Sequence, residues 1–153
     1  MTLADASHGR NGADRQGSDG SNVTRYGSGG PYEDVFGYSR VVVAGPWALT
    51  AGSTSTVDGE VAHVGDAHAQ TKEAFGIALD ALARIGVTRD QVVRTRMYVT
   101  DMAAAASVGR AHGEVFGGVR PVATMVGITA LVHQDLLVEV EVEAYLGGSR
   151  PSS

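Results

Sequence analysis

Hydrophobic and polar positions change period several times between residues 38 and 146. Tyr38-Ser-Arg-Val-Val-Val43 is a β-type run, Ala44-Gly-Pro46 a turn, and Trp47-Ala-Leu-Thr-Ala51 the returning strand. Residues 53–65 are loop-like, and Val57-Asp-Gly-Glu60 predicts a tight turn inside them. Asp66 stands where a helix N-cap belongs and Gly86 where a C′ glycine belongs. Between them Thr71, Phe75, Ala78, Leu79, Leu82 and Ile85 share one helical face. Thr88 with Gln91 has the spacing of a capping box. Residues 92–100 then alternate as a strand, with Arg94, Arg96 and Tyr98 on one side and Val93, Thr95, Met97 and Val99 on the other. Asp101 is a second N-cap, for a helix running to about Phe116 with the stripe Ala104, Val108, Ala111, His112 and Val115. Residues 123–129 predict another strand. Residues 136–146 predict the last, with Glu139, Glu141 and Glu143 alternating against Val138, Val140, Val142 and Ala144.

The order is thus β-β-α-β-α-β-β, an α+β single domain. Right-handed crossovers put both helices on one face of a mixed sheet. The other face has no helix to cover it, so it is either solvated or buried against copies of the chain. Residues 1–30 hold seven glycines and only isolated apolar positions. Such a segment buries too little surface to offset its ordering entropy, and it reads as a disordered tail. Residues 147–153 read as a second, short tail, which leaves a domain at 31–146.

Composition removes several classes of function. There is no cysteine, hence no disulfide framework, thiolate nucleophile or Cys-ligated metal. A net charge of −5 disfavours nucleic-acid binding, which needs a dense cationic surface. No apolar run is long enough to span a membrane, and no basic start leads into a signal-type apolar stretch. A cytoplasmic protein is the expectation. Lys72 is the only lysine and falls inside a predicted helix, so lysine-based chemistry has one poorly placed candidate.

Five blocks carry a family resemblance. Gly37-Tyr-Ser-Arg40, Leu49-Thr-Ala-Gly52, Val92-Val-Arg-Thr-Arg-Met-Tyr-Val-Thr-Asp101, Arg120-Pro-Val-Ala-Thr-Met-Val126 and Val138-Glu-Val-Glu141 occur in order and at matching separations. Together they resemble the Rid (reactive intermediate deaminase) family, formerly called translation-inhibitor endoribonucleases. The resemblance implies a chorismate-mutase-like fold and a homotrimer whose sheets close a central barrel, with a cleft at each subunit interface. It also implies hydrolysis of 2-imino or enamine acids without metal or cofactor. That chemistry needs a cation for the substrate carboxylate, an acceptor that orients water, and polar groups against the C=N bond.

Carried over residue by residue, the resemblance places Tyr38 in the cleft and Glu139 at the water. Ala123 stands where the deaminase branch has its carboxylate-binding arginine, Ala51 where it has a serine, and Gly109 where it has an asparagine. This is the pattern of an arginine-lacking branch. Losing a charge-assisted hydrogen bond costs about 1.5–3 kcal/mol, which is tenfold or more in affinity. Substrates without an essential carboxylate are therefore favoured, and Arg96 is the internal candidate for a replacement cation.

The candidate catalytic residues are Glu139 and Tyr38. The candidate substrate-binding residues are Arg96, Thr124, Met125, Gly52, Ala123 and His133. Each has a plainer alternative. Glu139 and Glu141 also suit cross-strand pairs with Arg94 and Arg96, worth about 0.2–1 kcal/mol each. Tyr38 suits an ordinary strand aromatic, Thr124 and Met125 a plain strand, and Gly52 a strand end. His133 precedes the final strand and is in reach of a cleft mouth. His112 lies on an apolar stripe and reads as a core histidine. No histidine spacing forms a metal pattern. Two function classes follow. One is a cofactor-independent enzyme that hydrolyses, dehydrates or cyclises a reactive imine, enamine or related intermediate, a step suited to specialised metabolism. The other is a non-catalytic trimer that binds a metabolite or partner.

Overall fold

The computed structural model describes residues 15–16 and 22–147. Its strands are β1 (Arg15–Gln16), β2 (Val23–Tyr26), β3 (Val41–Ala44), β4 (Trp47–Thr50), β5 (Ser53–Thr54), β6 (Thr56–Val57), β7 (Glu60–Val61), β8 (Val92–Val99), β9 (Val122–Gly127) and β10 (Val138–Tyr145). The helices are α1 (Glu33–Phe36), α2 (Ala67–Ala83) and α3 (Ala105–Phe116). The main sheet runs β1-β2-β3-β4-β10-β8-β9, with β5 also on β10. Only β8 and β9 pair in parallel, and α3 connects them. The sheet is mixed, as the element order predicted.

Local chemistry accounts for the boundaries. The β3–β4 hairpin turns at Gly45-Pro46, where Gly45 takes φ 56° as a primed hairpin turn requires. Asp58 and Gly59 at φ 51° and 82° make the tight turn between β6 and β7. Asp66 caps α2 through the Ala69 N–H at 3.0 Å, and Gly86 at φ 79° follows its C-terminal end. Asp101 accepts from the Ala103 N–H at 2.9 Å and starts a 3-10 turn that leads into α3. The Thr88/Gln91 capping box is present on a 3-10 turn before β8.

Both long helices lie against one face of the sheet. Phe75 and Leu82 of α2, Val108 and Phe116 of α3, Met97 and Val99 of β8, and Val138, Val140 and Val142 of β10 are buried together. Phe75 meets Phe116 edge-to-face at 5.0 Å. His112 lies in this layer, its Nε2 2.8 Å from Thr95 Oγ1, and burial pushes its pKa below the ordinary value. Gln70, fully buried, ties α2 to the segment entering β10. Its side chain donates to the Asp135 and His63 carbonyls and accepts from the Leu137 N–H at 2.8 Å. Neither long helix covers the opposite face, where the alternate residues of β10 stay partly exposed.

The N-terminal boundary differs from the expectation. Val23–Tyr26, placed by composition inside a tail, is a strand whose residues pair with all four of β3, from Val23↔Ala44 to Tyr26↔Val41. Val-Thr-Arg-Tyr is a four-residue run of high β-propensity, and β3 offers it an open edge. Tyr26 packs against the core. The rest of the expected tails, residues 1–14, 17–21 and 148–153, lies outside the described residues. No helix among the described residues is long and apolar enough to cross a membrane.

Candidate active site at Glu139

The uncovered face carries the alternate residues of each strand. On β10 these are Glu139, Glu141 and Glu143, half-buried between fully buried neighbours. The antiparallel register with β8 sets Glu141 opposite Arg96, and Glu143 opposite Arg94. Glu139 stands opposite Tyr98, which is uncharged. The ion-pair ladder therefore uses Glu141 and Glu143, one alternate position further along the strand than the Glu139 and Glu141 pairing considered from sequence. Arg96 Nη1 is 2.6 Å from Glu143 and 3.4 Å from Glu141, Arg94 Nε is 3.4 Å from Glu143, and the Tyr98 hydroxyl donates to Glu141 at 3.1 Å. Hydrogen bonding to Glu143 raises the Arg96 pKa further, while burial and Glu141 hold the Tyr98 phenol protonated to higher pH.

Glu139 stands outside this ladder. Among the described residues it makes neither an ion pair nor a hydrogen bond. Burial raises its pKa, the Glu141 charge raises it further, and the nearby Arg40 guanidinium pulls it back. A carboxyl group in this setting exchanges protons closer to neutrality than an ordinary glutamate does.

A local irregularity makes room for it. β10 pairs with β4 at Glu143↔Leu49 and with β5 at Val140↔Ser53. Three steps along β10 thus face four along the other strand, so one extra residue bulges out between Leu49 and Ser53. Thr50 Oγ1 takes the Val142 N–H at 3.0 Å, which would otherwise lose its partner at the bulge. Gly52 lies in this bulge directly against the Glu139 carboxylate. A Cβ at Gly52 would lie 2.8 Å from Glu139 Cδ and 3.2 Å from Cγ, and would overlap a carboxylate oxygen. Gly52 is therefore needed for space.

Arg40 closes this side of the site. It stands just before β3, two residues after Tyr38. Its Nη1 donates to the Gly52 carbonyl at 2.7 Å and to Ser53 Oγ at 3.5 Å, and Nη2 donates to the Tyr38 hydroxyl at 3.2 Å. Its guanidinium carbon lies 5.5 Å from the Tyr38 ring centroid. Tyr38, Arg40, Gly52 and Glu139 therefore form one connected group. Sequence reasoning singled out three of them and passed over Arg40. The available signal was its i, i+2 relation to Tyr38.

The remaining candidates lie elsewhere. Arg96 is on the same face, held by Glu143 and Glu141. Thr124, opposite Arg96 on β9, shares that face and is exposed. Ala123 and Met125 pair with Thr95 and Met97 and so lie on the helix side, where Met125 packs against the core near Gly109. β9 is also an edge strand, separated from β3 by β4, β10 and β8. Within one chain, Ala123 and Met125 are not brought to Glu139. His133 is exposed in the loop before β10, with Nδ1 accepting from the Asp135 N–H at 3.1 Å. Among the described residues no group of three or more histidines, aspartates and glutamates is arranged to hold a metal ion.

Comparison with known proteins fits this geometry. The family described as Endoribonuclease L-PSP matches residues 33–146. The chain belongs to this family, also known as the YjgF/Rid family. It is 42% identical over 125 residues to an uncharacterized protein of Streptomyces coelicolor, covering 82% of this chain and 93% of that one. The crystal structure of Rv2704 from Mycobacterium tuberculosis, a member of the YjgF/YER057c/UK114 family, superposes with a TM-score of 0.72 at 43% identity. That alignment covers 80% of this chain and 98% of the other. A Pseudomonas aeruginosa protein of unknown function, PA3499, aligns with a TM-score of 0.65 at 30% identity, over 71% and 81% of the two chains.

Proposed function

We propose that the protein is a cofactor-independent enzyme that acts on a small reactive imine, enamine or related intermediate, with Glu139 as its proton-transfer group. The observation that carries this reading is the unpaired, half-buried Glu139 carboxyl, seated over Gly52 beside Tyr38 and Arg40 while its neighbours Glu141 and Glu143 are engaged. For hydrolysis, Glu139 takes a proton from a water whose oxygen bonds to the imine carbon. The C=N electron pair moves to nitrogen, which is protonated. Collapse of the resulting carbinolamine breaks the C–N bond and gives the carbonyl compound and ammonia. Dehydration or cyclisation of a pathway intermediate in specialised metabolism uses the same proton-transfer group.

The working assembly in this reading is a cytoplasmic homotrimer in which the uncovered faces close a central barrel. Trp47, Leu49, Tyr145, Val122 and Val126 are exposed on that face around the charged ladder, and burial against copies of the chain removes them from water. Thr124 and the backbone of Ala123 and Met125 on the edge strand β9, together with His133 in the loop before β10, then reach the cleft from a neighbouring subunit. RNA is disfavoured as a substrate. The net charge is −5, and Arg94 and Arg96 are both neutralised by glutamates.

The alternative is a non-catalytic trimer that binds a metabolite or partner. The Ala123 methyl group favours it, because it supplies no charge where the deaminase branch of the family has an arginine. A coupled assay separates the two readings. An amino-acid oxidase generates 2-imino acids, semicarbazide traps what remains, and wild type is compared with Ala123→Arg. Faster imine clearance than the uncatalysed rate by either protein supports the enzyme, and ligand binding without clearance by both supports the binding trimer.

A further inference from the structure

Resting on the reading of Glu139 as the proton-transfer group, we infer that Arg40 is the anion anchor of the site and holds a planar carboxylate on the ligand beside Glu139. Arg94 and Arg96 are paired with glutamates. Arg40 makes no ion pair among the described residues, although it is half-buried and near two acids, Glu33 and Glu139, whose titration it lowers. Its three hydrogen bonds go to neutral acceptors, the Gly52 carbonyl, Ser53 Oγ and the Tyr38 hydroxyl. A guanidinium has five N–H donors, so two remain available for a bidentate pair.

These contacts also fix the direction of the group. The Gly52 carbonyl belongs to the bulge that admits Glu139, and the Tyr38 ring lies beside the guanidinium plane. Cation and carboxyl are thus built onto one irregularity of one chain. An anion on Arg40 sets the atom next to its carboxylate within reach of Glu139, which is the arrangement general acid–base chemistry on a neighbouring C=N bond needs. A monoanionic carboxylate is the ligand of choice, because a dianionic phosphate would add repulsion against Glu139. The favoured substrate class changes accordingly. Ala123 leaves no anchor on β9, and Arg40 supplies one on the opposite side of the sheet.

The test uses binding, so that it does not depend on turnover. Full-length wild type, Arg40→Gln and Arg40→Lys are titrated by ligand-observed NMR with 2-oxobutanoate and with its neutral methyl ester. The expected result is at least tenfold tighter binding of the acid by wild type, a preference that weakens with added salt. It disappears in Arg40→Gln and returns in part in Arg40→Lys. Circular dichroism of each variant checks that the fold is kept, and the acid-to-ester comparison within wild type needs no variant. Equal affinity of wild type for acid and ester overturns the inference. So does a preference retained in Arg40→Gln, or no saturable binding by wild type in the millimolar range. If the preference behaves as expected while no imine is cleared, the enzyme reading fails and the anchor stands. If imines are cleared without any acid preference, the anchor fails and the enzyme reading stands.

Discussion

Replacing Gly52 with alanine separates the requirements of the fold from those of the site. The added Cβ would lie 2.8 Å from Glu139 Cδ and 3.2 Å from Cγ. Carbon atoms pack at about 3.5–4.0 Å, so the carboxyl group must retreat by about 1 Å. The backbone offers no obstacle, since Gly52 is not among the positive-φ glycines. The atoms in conflict are the end of a flexible side chain, and an alanine at a compatible position lowers the entropy of the unfolded chain by about 0.4–1 kcal/mol. Stability should therefore change by less than about 1 kcal/mol, well under the range of about 1–3 kcal/mol for overpacking a rigid core. A catalytic group displaced by about 1 Å loses on the order of a hundredfold in rate. The Glu139 titration should also move down toward the ordinary carboxylate value as the group reaches water. Urea unfolding gives the stability, carbon-13 NMR of the glutamate carboxyls gives the titration, and the coupled imine assay gives the rate. A Gly52→Ala protein with unchanged titration and rate refutes the placement of Glu139. One that fails to fold refutes the claim that Gly52 serves only to make space.

Three further outcomes follow from buried groups. Gln70→Ala leaves the Leu137 N–H and the Asp135 carbonyl without their partner, and should lower stability by about 2–4 kcal/mol in urea unfolding. Glu139→Gln should stabilise the fold at neutral pH. Its folded pKa is raised, so wild type is fully favoured below the ordinary value of 4.5 and loses that contribution as pH rises through the folded value; the two proteins should converge at acid pH. His112 has the opposite sign. Its folded pKa is depressed, so its contribution is present above 6.5 and lost as pH falls, and His112→Gln should remove that slope from the urea midpoint measured across this range.

Most of the fold was legible because its signals are local. The caps at Asp66 and Asp101, the glycine at Gly86, the turn at Asp58-Gly59 and the alternation of the last strand each act within a few residues. β2 was hidden because its four residues sit between glycine-rich stretches, and its stability comes from a partner strand that lies fifteen or more residues away in sequence. Gln70 was hidden for a related reason. It adjoins the apolar stripe of α2, and its partners lie more than sixty residues further on. At the site, family resemblance pointed to Glu139 and Tyr38, whereas alternation alone left Glu139 and Glu141 equivalent. The register decided between them by placing Tyr98 opposite Glu139 and Arg96 opposite Glu141. Arg40 escaped notice because its role depends on the bulge at Gly52, which appears only when the pairing of β4 and β5 with β10 is known.

In the proposed function Glu139 moves the proton in an otherwise intact site. Its most direct test is the rate of imine clearance by Glu139→Gln, measured together with molar mass in solution and the acid-over-ester preference for 2-oxobutanoate. Turnover should fall by at least a hundredfold while the mass stays as in wild type and the acid preference is kept or strengthened, the charge of Glu139 having gone. Turnover close to that of wild type in Glu139→Gln would contradict this role.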